Sequence, residues 1–275
     1  MKTIFGVMTV LLLSLWGCQD YDLAATELAS HDPTSLPASV ALSSSRSFTD
    51  QQLATIAAYH NQYLGQVINQ LSATGQVFFD WESLSTAIDA EVAGLAAAEG
   101  ISLPAGVLPT IDRDLDAEQQ ALLATRSAAF QSLIQTSDQF MESPSASDVA
   151  TIHTHTAQWR GVAHATLSGI ELDAALGYFE VLDASAEFWF PTDLGGQGGG
   201  ESMEDLVPLN QPLVDWGRVG RNDAHGGMKG IFRAYEESYG FALTDPWDVV
   251  QRIGLGAASA SLMAAGISII DTLFS

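Results

Sequence analysis

From Asp215 to its end the chain places Gly217, Gly220, Gly226, Gly227 and Gly230 inside a segment whose other residues keep helical spacing. Each interior glycine costs a helix up to about 1 kcal/mol relative to alanine, so Trp216 to Tyr239 is helical only where a neighbour packs closely enough to offset that loss. At about 100° per residue, Trp216, Gly220, Gly227, Ile231, Ala234 and Ser238 fall on one side. Arg218, Arg221, His225, Lys229 and Arg233 fall on the other. One face is small and the other basic.

The neighbour follows directly. Asp245 is a good N-cap, Pro246 suits the first helical position and Asp248 favours the positive end of the helix dipole. Gly254, Ala257, Ala258, Ser261, Ala264, Ala265 and Ser268 then form a second small stripe, with Leu255, Leu262, Met263, Ile269, Ile270 and Leu273 broadly opposite. Two such stripes let backbones approach until dispersion contacts replace side-chain bulk, and the pair reads as an antiparallel hairpin over residues 213–275. Ile253 to Ile270 is near the lower length limit for a bilayer span. Its serines, glycines and alanines leave it weakly apolar and no basic cluster follows it, so a buried helix is expected. A membrane-active hairpin over 215–275 is the alternative.

Upstream, residues 48–194 read as a helical body. Thr49 and Gln52 make a capping box ahead of Leu53, Ile56, His60, Leu64, Val67 and Leu71 at helical spacing. A second helix runs from Trp81 to Glu99 between Asp80 and Gly100, and a third from about Leu115 to Glu142. Pro144 breaks the chain, a fourth helix starts after Ser145 or Ser147, and a fifth carries Tyr178, Phe179, Leu182, Phe188 and Trp189. Gln76 to Phe79 is too short to found a sheet. Residues 195–212, with a glycine-rich run and Pro208 and Pro212, read as a flexible linker. The fold expected is all-α, about seven helices closed by the C-terminal hairpin.

The chain begins with Lys2, an apolar run from Ile4 to Leu15, and Leu15-Trp16-Gly17-Cys18. The run is too short to span a bilayer and has the layout of a secretory signal. These first eighteen residues resemble the type II signal peptide of bacterial lipoproteins, which implies removal of residues 1–17 and lipidation of Cys18. Cys18 is the one cysteine in 275 residues, so no disulfide is available to the body. Residues 18–47, rich in Ser, Ala, Thr and Pro, read as a flexible tether. The His60-Asn61 pair and the glycine-spaced hairpin look like those of uncharacterised helical lipoproteins of bacteria, a likeness that implies no activity.

Ten basic against 33 acidic residues give a formal charge of −23, a surface that repels nucleic acid and anionic headgroups. Half of the basic residues, Arg218, Arg221, Lys229, Arg233 and Arg252, lie in the terminal hairpin. Their face is expected to dock on acidic helices of the same body, the other reading being an exposed site for an acidic partner, phosphate or carboxylate.

Few residues suggest chemistry. His153 and His155 point about 200° apart on a helix and cannot share an ion, whereas His153, Arg160 and His164 share a face. His60 falls on an apolar stripe, where a hydrogen-bonded core histidine is the commoner arrangement. Asp112 to Asp116 opens like an EF-hand loop, but Ala117 and Leu123 stand where that loop needs glycine and glutamate. Zinc-hydrolase, phosphate-loop and serine-hydrolase patterns are absent.

The function expected is a non-catalytic helical protein of the bacterial cell envelope, anchored through a lipid on Cys18, facing periplasm or cell surface. It binds a protein partner or supports an assembly, with no cofactor, no metal and no nucleic acid. The alternative is a small-ligand or metal-binding bundle using His60, or His153 with Arg160 and His164.

Overall fold

The structure, a computed structural model, describes residues 48–101, 115–207, 215–238 and 246–274. The signal segment, Cys18, the tether, Asp112 to Asp114 and residues 208–212 lie outside the described residues. So do the Asp245 cap and the side chains of Asp248, Ser268, Ile269, Ile270 and Leu273.

Nine α-helices run in order among the described residues: α1 Asp50–Ala73, α2 Trp81–Ala98, α3 Leu115–Ala124, α4 Ala128–Met141, α5 Val149–Thr166, α6 Gly169–Trp189, α7 Gly199–Glu204, α8 Trp216–Ser238 and α9 Pro246–Phe274. The fold is all-α. The excess over seven has two sources. One is the short α7. The other is the expected Leu115 to Glu142 helix, which divides at Ser127 because local polar groups compete for the backbone. The Ser127 hydroxyl accepts from Phe130 N at 3.3 Å. Its own N and Oγ donate to Glu171 at 2.8 and 2.6 Å, tying the break to α6.

Helix starts follow local chemistry. The Thr49–Gln52 capping box is present in both directions. Asp80 and Asp148 accept from Ser83 N and Thr151 N at 2.7 and 2.8 Å, and these bonds to the ionised form hold both carboxyls below their usual range. α2 ends at Gly100, φ 69°.

α6 packs on α8, α1 and α5, and α9 packs on α8, α1 and α2. Four helices therefore close a ring, α1 to α6 to α8 to α9 and back to α1. The other helices dress it from outside. The hairpin is in this ring but is not its sole centre. In α6 only Ile170, Glu171, Glu180, Asp183 and Glu187 escape burial.

The small-residue faces divide differently from the two expected stripes. Within the hairpin the close approach is made by Gly226, where a Cβ would stand 3.1 Å from Ala257 Cα, and by Gly230, 2.8 Å from Ile253. Gly220 and Gly227 turn instead to Leu182 and Val181 of α6, and Gly254 turns to Tyr59 and Ile56 of α1. Each hairpin helix has two tight neighbours, so its small residues serve two seams. No helix among the described residues is long and apolar enough to cross a membrane.

The glycine run is a packed turn rather than an open linker. Thr192–Leu194 forms a 3₁₀ turn, then Gln197 N donates to Glu187 O at 2.7 Å and Gly198 N to Phe190 O at 2.9 Å. The run thus satisfies carbonyls at the end of α6. Gly195 and Gly198 have φ of 90° and 73°, open to glycine at little cost. A Cβ at Gly196, Gly199 or Gly200 would overlap Phe190, Phe188 or Trp216.

Candidate functional site

Arg221, His225 and Lys229 recur every fourth residue and project from one side of α8. Opposite them stand Glu142 and Asp138 of α4 and Glu118 of α3. Arg221 pairs with Glu142, Lys229 pairs with Glu118, and His225 Nε2 lies 3.1 Å from both oxygens of Asp138. Gln119 Nε2 donates to Asn222 Oδ1 at 2.7 Å, and the Arg126 guanidinium sits 3.7 Å over the Phe232 ring. These contacts fasten α3 and α4 to α8.

A cleft of about 680 Å³ remains between the three helices. Its acidic point is fixed from below. Tyr178, fully buried on α6, donates its hydroxyl to Asp138 at 2.7 Å. Burial and the adjacent carboxylate push that phenol well above its usual range, so it stays a donor. His225 is buried, and its Nδ1 has no hydrogen-bond partner. Around this floor stand Gln119 and Gln120 of α3 and Gln131, Gln135 and Gln139 of α4. Gln131 donates to Arg126 O at 2.7 Å. The amides of Gln120, Gln135 and Gln139 have no protein partner among the described residues.

A second polar cluster lies inside the ring of four helices. His60 Nδ1 is 2.9 Å from Asn61 Oδ1, and Asn61 Nδ2 donates to Ala184 O at 2.8 Å. His60 Nε2 stands 3.4 Å from Asp223 Oδ2, both side chains fully buried. Asp223 Oδ2 also accepts from Ser185 Oγ and, at 3.0 Å, from Trp189 Nε1, which shares its hydrogen with Ser261 Oγ at 2.9 Å. α1, α6, α8 and α9 each contribute, and every member except the partly exposed Asn61 is buried. It is a core network that sets the register of the helices.

On the outer face of α6, Arg160 donates to Asp183 Oδ2 at 2.6 Å and lies 3.3 Å from Glu180. Thr156 Oγ1 donates to Asp183 Oδ1 at 2.6 Å. His153 Nε2 is 3.4 Å from Glu187 Oε1 and 3.9 Å from Asp183 Oδ1. Burial raises Glu180 above its usual range although Arg160 opposes it. These contacts close the seam between α5 and α6.

Of the residues singled out in the sequence, Arg221 and His225 meet at the cleft, and Lys229 pairs at its margin. Arg218 and Arg233 are half-buried on α8 and are not among the described lining residues. His153 and Arg160 share Asp183, and His164 is exposed. His60 is in the core, so His60 and His153 do not converge. No group of three His, Cys, Asp or Glu among the described residues is placed to hold a metal ion. Sequence reasoning missed Asp138, Tyr178 and the glutamines. A signal for the latter exists in Gln131, Gln135 and Gln139, an amide stripe at four-residue spacing behind Phe130 and Leu133. Comparison of the chain with protein-family models, with curated proteins and with solved structures finds no match.

Proposed function

We propose that this chain is an exported, lipid-anchored, non-catalytic binding protein of the bacterial cell envelope, held to a membrane through Cys18 and receiving a small polar ligand in the cleft between α3, α4 and α8. The cleft carries the binding half of this reading. Its ionisable groups are engaged with one another, Asp138 with Tyr178 and His225, and Arg221 with Glu142. They form a fixed floor, and the amides of Gln120, Gln135 and Gln139 around it are left to meet a ligand. The export half rests on the signal-like segment that ends at Cys18.

The two halves are tested separately. Full-length protein made in a bacterium fed labelled palmitate takes up label, and Cys18→Ala does not. Uptake by the variant, or none by either, removes the anchor. For the cleft, a thermal-shift panel of uncharged sugars, amino acids and short peptides raises the melting temperature with at least one member, since a ligand of the folded state alone stabilises it. A panel without effect on the full-length chain removes the binding role.

A further inference from the structure

We infer that the ligand of the α3, α4 and α8 cleft is an uncharged saccharide, an inference that rests on the cleft being a binding site. Ligand pockets are as a rule mainly apolar, with a few polar groups that fix orientation. This one is lined chiefly by polar residues. Its described lining has five glutamines, and only Leu123 and Ala124 are apolar. An apolar ligand would leave those amides facing hydrocarbon, and an unpaired polar group at a buried contact is costly.

Charge narrows the class. The chain is strongly acidic, and the charged groups of the lining are already engaged: Asp138 accepts from the Tyr178 hydroxyl and contacts His225, and Arg221 pairs with Glu142. A ligand with net charge would have to displace one of these contacts. What remains is a set of side-chain amides, each holding a donor and an acceptor side by side. Neighbouring hydroxyls of a sugar, each also donor and acceptor, complement that pattern. A peptide would need apolar recesses for its side chains, and Leu123 and Ala124 alone do not supply them. His225, only 3% exposed, lines the cleft beside Asp138, so the floor is preformed.

The test is calorimetric titration of the full-length chain, in a detergent without sugar headgroups, against chitotriose, maltotriose and the uncharged peptide N-acetyl-trialanine amide. At least one saccharide binds. The double substitution Gln135→Leu with Gln139→Leu, at two exposed positions, weakens that binding about tenfold or more, while the melting temperature stays unchanged. Saccharide binding that the double variant leaves intact overturns the inference. Binding of the peptide alone, lost in the double variant, also overturns it but leaves the cleft as a binding site. Silence from all three probes overturns it, and the binding role itself falls only if the broader thermal-shift panel is silent as well.

Discussion

Helix α8 takes part in two histidine–aspartate pairs from positions two residues apart. Asp223 meets His60 inside the ring of helices, and His225 meets Asp138 beneath the cleft. The chemistry is the same and the surroundings differ. The first pair is sealed, at 0% exposure for both side chains, takes hydrogen bonds from Ser185 and Trp189 of α6 and is linked to α9 through Trp189 and Ser261. The second has His225 at 3% and Asp138 at 17%, beside open space. In the sealed pair nothing arrives from outside, so its partners can only hold the helices in register. In the second, the same kind of pair supplies a rigid polar floor that a ligand can reach.

The largest test of that contrast is Asp223→Ala. It removes the acceptor of Ser185, one of the two acceptors of Trp189 and the neighbour of His60 Nε2, and is expected to lower stability by about 3 kcal/mol or more, read from equilibrium urea unfolding. A smaller loss than that of Asp138→Ala in the same assay breaks the comparison. Next is Gly254→Ala, whose new Cβ would stand 2.6 Å from Tyr59 Cβ and 3.0 Å from Ile56 O. Overpacking of this kind costs about 1–3 kcal/mol, and a neutral result would mean that the seam between α9 and α1 is looser than it looks.

The sealed side also has a signature in alkali. Burial, with smaller contributions from Glu99 and Tyr59, pushes the Tyr63 phenol up to about 12. The fold favours the neutral phenol, so this contribution is present below the ordinary value near 10 and is lost as pH rises through about 12. Absorbance titration with parallel circular dichroism should show Tyr63 ionising together with unfolding, at a pH above the ordinary value near 10. The smallest effect belongs to the cleft margin. Lys229→Ala removes a half-exposed pair with Glu118, worth less than about 1 kcal/mol, and the difference from the parent chain should vanish in about 1 M salt.

Much of the fold was legible because it is local. The Thr49 capping box, the Asp80 cap and the glycine stop at Gly100 each act within a few residues, and an apolar stripe names its own helix. The docking of the basic face also followed from composition, since acidic surface abounds in a chain of this charge. What escaped depends on distant segments. Gly220 and Gly226 are chemically alike, and only the placement of α6 and α9 decides which seam each serves. Asp223 sits on the same side of α8 as Gly220 and Gly227, an acid on a small face, but its meaning appears only when His60 arrives from a position 163 residues earlier. The cleft was hidden for the same reason, because a glutamine stripe looks like ordinary solvated surface until another helix stands across from it.

The turn at Gly195 to Gly200 has a practical consequence. On composition it is the obvious place to splice in an epitope or a reporter, being short, glycine-rich and between helices. Its amides finish α6, and its missing side chains make room for Phe190, Phe188 and Trp216, so an insertion there would unseat the end of the central helix. A graft should go elsewhere, for example beside the exposed Ser145, where the chain has room to accept a passenger.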